Sequence, residues 1–236
     1  MSKVTREDFK NELKLLKRLH HPNIVQLLGI ANLKNEVWII MEWMSQGCLS
    51  DVFEQDVYIS WGQMITWLND TAKGMAYLHA HDVIHRDLKS FNLLVDENNI
   101  VKISDFGISK QIASSTEVQF QTECRGSYQW MAPEAAVTPE YNNKVDVFSY
   151  SIVMWEVLSR QLPYPDQANP IAIVTQVING LRPKLSHLAW CPQEIINLMK
   201  RCWDAKPEIR PPFTRIIQEL EAIHQLYPNA KAPPRE

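Results

Sequence analysis

One stretch near the middle of the chain limits the fold more than any other. Lys144–Leu158 is apolar nearly all round, with Val145, Val147, Phe148, Ile152, Val153, Trp155 and Leu158 spread over the faces of a helix. A surface helix buries one stripe, whereas a helix apolar on every side must lie inside a core with other helices packed around it. The 236 residues are enough to build that surround in one or two domains. The surrounding helices are visible too. Ser60 and Gln63 cap a helix to about His79, with Met64, Ile65, Leu68, Ala72 and Met75 on one face, and amphipathic patterns recur near 192–202 and 213–226. Asn169 and Pro170 read as an N-cap and first helical residue, and Asn179-Gly180 as the matching C-cap.

The front of the chain is different. Thr5 and Asp8 cap a helix carrying Phe9, Leu13, Leu16 and Leu19 on one stripe, and Pro22 ends it. Ile24–Ile30 and Val37–Met41 are apolar runs that read as buried strands joined by a turn at Asn32–Asn35. Leu49–Phe53 reads as one or two helical turns, and 80–110 as short strands and polar turns. Residues 111–128 form a long polar loop with Ser114, Ser115, Thr116 and Thr122, and a loop of that length in a compact domain is usually functional. The proline-rich, charged Asn229–Glu236 reads as a frayed tail. The expected class is α+β, a small strand-bearing head on a large helical body.

Composition removes several function classes. Lys and Arg number 24 and Asp and Glu 27, so the net charge of −3 argues against nucleic acid or an anionic membrane as partner. No apolar run approaches a membrane span, and the charged first 25 residues hold no signal peptide. Cys48, Cys124, Cys191 and Cys202 show no C-x-x-C spacing, so neither zinc nor a disulfide framework is indicated. The expectation is a reduced, cytoplasmic protein. Glycine is scarce: there are seven, and the closest two, Gly62 and Gly74, are twelve apart, so no G-x-G-x-x-G or Walker-type phosphate loop is present.

Phosphate chemistry is nevertheless written elsewhere. His85-Arg86-Asp87-Leu88-Lys89-Ser90-Phe91-Asn92 sets an Asp, a Lys two later and an Asn five later, and Asp105-Phe106-Gly107 follows in a turn-rich segment. Here the chain resembles the eukaryotic protein kinases, whose catalytic pair is H-R-D-x-x-x-x-N followed by D-F-G. The resemblance implies a two-lobe kinase fold. It also implies Asp87 as acceptor of the substrate hydroxyl proton, Lys89 as a charge for the transferring phosphate, and Asn92 and Asp105 as oxygen ligands of Mg²⁺ on ATP. Met41, Glu42, Trp43 and Met44 match the hinge that pairs with adenine, with Met41 as gatekeeper, and Leu94 would pack under the base. Ala132-Pro133-Glu134 matches A-P-E, and Arg210 matches the partner of that Glu, which implies a buried Glu134–Arg210 ion pair. Asp146 matches the residue that holds the catalytic-loop backbone, and Glu12 the regulatory-helix glutamate. Leu16, Leu27, His85 and Phe106 match the stacked apolar residues that link the lobes. Arg86 beside Asp87 implies control by an upstream kinase that phosphorylates residues 114–122.

Lys89 and Gly126-Ser127 are similar to Ser/Thr kinases, whereas Trp130-Met131-Ala132-Pro133-Glu134 and Cys202-Trp203 look tyrosine-kinase-like. The mixture resembles the tyrosine-kinase-like group, whose members mostly act on Ser and Thr of proteins. The resemblance lacks the glycine-rich loop and the β3 lysine. It implies a shortened N-terminal lobe over 1–44 with unpaired strand edges and exposed apolar surface, a C-terminal lobe over 45–228, a disordered tail over 229–236, and little transfer by this chain alone. Three readings remain open: a shortened active Ser/Thr kinase, a pseudokinase-like scaffold or allosteric module, and a small-molecule phosphotransferase. The 127–134 segment, which belongs to protein kinases, disfavours the last.

Overall fold

The computed structural model describes residues 17–33, 36–55, 57–105, 127–167, 169–228 and 230–231. Six helices lie among them: α1 (Leu49–Glu54), α2 (Trp61–Ala80), α3 (Lys144–Ser159), α4 (Pro170–Ile178), α5 (Gln193–Cys202) and α6 (Phe213–Leu226). Four strands make two antiparallel ribbons, β1 (Leu27–Leu33) with β2 (Glu36–Met41), and β3 (Leu93–Val95) with β4 (Val101–Ile103). The class is α+β, and no helix among the described residues is long and apolar enough to cross a membrane.

The all-round apolar helix takes the central place that its composition requires. Every residue of α3 from Val145 to Leu158 is buried. It packs against α2, α5 and three short 3-10 turns, one of which, Tyr128–Trp130, sets the Trp130 ring edge-on to Phe91. Arg160 ends it in the left-handed region at φ 54°. The expected caps form: Ser60 Oγ accepts from Gln63 N at 3.2 Å, and Asn169 Oδ1 accepts from Ile171 N at 3.0 Å. Gly180 takes φ +97° past the end of α4, where a side chain would strain the backbone.

Helix α2 runs against the segment before β1 so closely that one glycine is obligatory. A Cβ on Gly74 would stand 2.7 Å from the Asn23 carbonyl oxygen and 2.7 Å from Ile103 Cδ1. The Asn23 segment cannot retreat, because Asn23 Nδ2 donates to the Val101 carbonyl and Ile103 N–H donates to the Asn23 carbonyl. Gly74→Ala is therefore expected to destabilise the fold by about 1–3 kcal/mol despite alanine's better helix propensity. A urea titration checks this, and an unchanged or raised midpoint would show that the helix can shift.

The β1–β2 ribbon departs from the sequence reading. The apolar runs Ile24–Ile30 and Val37–Met41 suggest buried strands, yet Leu28, Ile30, Val37, Trp38 and Ile40 are all exposed. The strand also begins later, at Leu27, because Ile24 instead forms a parallel bridge with Ile103. Apolar alternation shows that a ribbon has faces to cover, but among the described residues no second layer covers them. The expected helix over 5–19 lies outside the described residues except for its end, where Lys17 and Arg18 are helical.

Candidate active site

Asp146 organises the candidate site from below. It opens α3, is fully buried, and receives three hydrogen bonds on one carboxylate. His85 N–H donates to Oδ2 at 2.9 Å, Arg86 N–H donates to Oδ1 at 2.7 Å, and His79 Nε2 lies 2.8 Å from Oδ2. Burial alone would push this carboxyl up. The His79 hydrogen bond, the electrostatic influence of the His85 and His79 imidazoles and the Arg86 N–H outweigh it and hold the group below the usual carboxylate range. The charge fastens a backbone that needs fastening, since Arg86 sits at φ +68°, a left-handed conformation unusual for a non-glycine residue. Its guanidinium lies 5.6 Å from the centroid of the Tyr141 ring.

His85 transmits that anchorage to the neighbouring strand. Its Nδ1 accepts from Asp87 N–H at 3.2 Å, so Nε2 carries the proton and donates to the Ser104 carbonyl at 3.0 Å. Ser104 is tied back in turn, its N–H and Oγ both donating to the Asn92 carbonyl at 2.9 and 3.1 Å. Asp105, the next residue, is exposed and has φ 57°. Backbone and imidazole bonds thus bring the Asp87–Asn92 segment and Asp105 to one place although twelve residues separate Asn92 from Ser104.

The side chains expected to react meet at Asp87. Asn92 Nδ2 donates to Asp87 Oδ2 at 3.0 Å and to its carbonyl at 2.8 Å. Lys89 Nζ stands 3.1 Å from the same Oδ2 and donates to Ser127 Oγ at 2.7 Å. A short 3-10 turn, Ser90–Asn92, sets these side chains on one side of the segment. A carboxylate, an ammonium and a hydroxyl from a distant segment are thereby joined, with Asp87 still 27% exposed and able to meet a solute.

The donor set fits a hard cation on phosphates. The two Asn92 Nδ2 bonds orient the amide and leave its Oδ1 as an oxygen ligand, and Asp105 adds an exposed carboxylate. Two such oxygens, completed by phosphate oxygens and water, suit Mg²⁺ better than a site closed by protein alone. On the hinge side, Glu42 N–H donates to the Gln26 carbonyl at 2.9 Å. The Glu42 carboxylate accepts from Gln26 N–H at 2.6 Å and pairs with Lys102 Nζ at 2.5 Å. With the Glu42 side chain occupied, any recognition at Glu42 and Met44 would fall to the backbone. Met41 is half-buried, Met44 buried, and half-buried Leu94 is bridged to Cys48.

Away from the Asp87 cluster, Glu134 and Arg210 make the expected ion pair, buried at the arginine but only half-buried at the glutamate, with Arg210 Nη1 at 2.5 Å and Nη2 at 2.9 Å from the two carboxylate oxygens. Leu27, expected among the stacked residues, is partly buried against the core. Glu12, Leu16, Phe106, Gly107, Gly126 and the phosphorylatable positions of 111–126 lie outside the described residues.

Two contributors are absent from the sequence reading. His79 completes the Asp146 anchor, yet it lies 67 residues away and carries no local signal. Glu156 lies beneath the site, its Oε1 accepting from Ser90 Oγ and its Oε2 from Trp130 Nε1, both at 2.6 Å. A signal for Glu156 did exist: it is a charge inside the all-round apolar helix, where a charge needs a reason.

Comparison with known proteins gives a consistent result. Residues 1–220 match the family model described as protein tyrosine and serine/threonine kinase. Over 221 residues the chain is 36% identical to serine/threonine-protein kinase STY17 of Arabidopsis thaliana, covering 92% of this chain and 37% of that protein. It is 38% identical over 219 residues to the probable serine/threonine-protein kinase drkD of Dictyostelium discoideum, covering 92% and 16%. It is 37% identical over 223 residues to mitogen-activated protein kinase kinase kinase 13-A of Xenopus laevis, covering 93% and 22%. The chain thus spans between 16% and 37% of the length of these relatives.

Proposed function

Because the chain belongs to the protein tyrosine and serine/threonine kinase family, we propose that it carries the transfer of the ATP γ-phosphate to Ser or Thr hydroxyls of a protein substrate. The observation that carries the reading is the position of Lys89. Its ammonium links the Asp87 carboxylate, 3.1 Å away, to the Ser127 hydroxyl, 2.7 Å away, on the substrate-side segment. That arrangement sets a positive charge beside a proton acceptor whose side chain is 27% exposed. Asp87 takes the hydroxyl proton on its carboxylate as the oxygen bonds to phosphorus, and ADP leaves with the electron pair of the broken bond.

Protein kinases of this family use ATP and Mg²⁺, and the metal, when bound, neutralises charge on the phosphates. In this chain Asn92 and Asp105 would hold it. Met41, Glu42, Met44 and Leu94 would border the adenine, and Asp146 would keep the catalytic segment in place. Glu12, Phe106 and Gly107 belong to the same proposal through their motif positions alone. An upstream kinase acting on residues 114–122 would give Arg86 a phosphate partner. The division into 1–44, 45–228 and a tail over 229–236, and action in the cytoplasm, are parts of this reading.

A second reading, a binding module without catalysis, is favoured by one observation: these 236 residues hold no G-x-G-x-x-G over which phosphates could lie. Transfer by residues 1–236 alone is for that reason expected to be slow. The test follows labelled γ-phosphate from Mg²⁺·ATP into mixed Ser, Thr and Tyr peptides, with a nucleotide thermal-shift assay in parallel. Label on Ser and Thr supports the kinase reading. Label on Tyr alone overturns the substrate class, and a shift without transfer supports the binding module.

A further inference from the structure

Among the described residues, Glu156 is a carboxylate with no cation. Its side chain is fully buried in α3, and its two oxygens are divided between two chain segments, Ser90 Oγ on Oε1 and Trp130 Nε1 on Oε2, both at 2.6 Å. Ser90 is itself fully buried and Trp130 nearly so. A link of this kind is costly, because burying an ionised carboxylate without a counter-charge is among the most unfavourable arrangements in a fold.

Its place accounts for the cost. Ser90 directly follows Lys89 and opens the 3-10 turn that presents Asn92. Trp130 closes the turn that begins after Ser127, and Ser149 Oγ, also on α3, donates to the Trp130 carbonyl at 2.8 Å. The same two segments are tied a second time near the surface by Lys89 and Ser127. We propose that Glu156 is a positioning residue that sets the catalytic segment and the substrate-side segment in register by holding Ser90 and Trp130 on the two oxygens of one carboxylate. The proposal rests on the kinase reading for its consequence, though not for its geometry.

A carboxylate in this setting leaves a titration signature. Burial pushes the Glu156 carboxyl up to about 7, against the bonds from Ser90 and Trp130, which pull it down. The other ionisable and charged groups on elements around α3 are engaged elsewhere. His79 of α2 faces Asp146, Cys202 of α5 faces Tyr150, His187 stands edge-on to Trp155, and Arg182 and Arg210 lie over Phe148. None of them acts on Glu156 electrostatically. When the carboxylate gains a proton it becomes a donor, and the Ser90 hydroxyl must turn to accept. The turn leading to Asn92 therefore feels the change. The sign on stability follows from the raised value. The folded chain keeps this proton from the ordinary glutamate value of 4.5 up to about 7 while the unfolded chain has lost it, so Glu156's contribution to stability falls as pH rises through that window.

The test is an NMR pH titration of the chain without nucleotide, following the Trp130 indole N–H and the Asn92 side-chain amide. In the parent both resonances are expected to move together with a midpoint near 7. In Glu156→Gln both are expected to be flat, and in Ser90→Ala the indole titrates while the Asn92 amide does not. An Asn92 amide indifferent to pH while the indole titrates would reduce Glu156 to a local brace and overturn the proposal, as would the absence of any titration. Should Glu156→Gln fail to fold, Ser90→Ala carries the test, since it leaves the Trp130 tie in place. No phosphotransfer enters the readout, so a chain inactive with ATP leaves this result standing, and the converse also holds.

Discussion

Arg210→Ala is expected to lower the unfolding free energy by about 3–5 kcal/mol. For a domain of this size that is a fall in melting temperature of roughly 6–20 °C. The guanidinium is fully buried and serves four acceptors. Nη1 and Nη2 grip the two Glu134 oxygens, Nη1 also reaches the Lys144 carbonyl at 3.0 Å, and Nε the Asp204 carbonyl at 2.9 Å. The group also lies 5.2 Å from the centroid of the Phe148 ring, and Lys144 Nζ donates to the Arg210 carbonyl. Alanine would leave the Glu134 carboxylate, 19% exposed, without its cation, the Asp204 carbonyl without this donor and a cavity beside α3. Arg210→Lys is expected to recover little, because a single ammonium cannot reproduce the forked contact. The control is Arg215→Ala on the exposed face of α6. Its pair with Glu219 at 2.9 Å has the arginine 61% exposed, and a loss of no more than about 1 kcal/mol is expected there. Chemical denaturation of the three variants decides the matter. A change below about 1 kcal/mol for Arg210→Ala would mean that the pair behaves as a solvated one.

The contrast between these two ion pairs bears on what a sequence can disclose. The Arg210 pair is legible only through motif resemblance, since 76 residues separate it from Glu134 and no local pattern joins them. Helix α3 is legible from its own residues, because apolar side chains on all faces admit only one kind of place. The exposure of the β1–β2 ribbon is not legible in the same way. Alternation reports that a ribbon has apolar faces, whereas burial depends on whether another layer lies on them. The cluster around Asp87 stands between these cases. The spacing of Asp87, Lys89, Asn92 and Asp105 names the participants, but what assembles them is long-range. His79 and His85 converge on Asp146, and His85 and Asn92 converge on Ser104, through bonds that no window of sequence contains. Glu156 is the instructive omission. Reading α3 as a row of apolar residues hides the one position in it where a buried charge lacks a cation.

Asp87→Asn is expected to slow phosphotransfer by about 10²–10⁴-fold while leaving the fold and nucleotide binding nearly unchanged. The substitution keeps shape and removes the proton acceptor. Asp87 N–H still donates to His85 Nδ1, and the Asp87 carbonyl still accepts from Asn92, so the backbone of the segment has no reason to move. The loss falls on Oδ2, where Asn92 Nδ2 at 3.0 Å and Lys89 Nζ at 3.1 Å both require an acceptor. An amide can offer its oxygen to those two donors only by turning its NH₂ toward the position of the incoming hydroxyl, which then meets a donor where it needs a base. The ratio is taken between two versions of the same chain, so a slow parent does not hide it as long as transfer exceeds background. The companion measurement is ATP affinity, because an effect on turnover with affinity preserved separates lost chemistry from a damaged pocket. If Asp87→Asn turns over at the parent rate, the proton leaves by another route. Lys89 and Asn92 would then be holding a structural carboxylate in place, and the site would lose its claim to catalysis while the family membership and the fold stand.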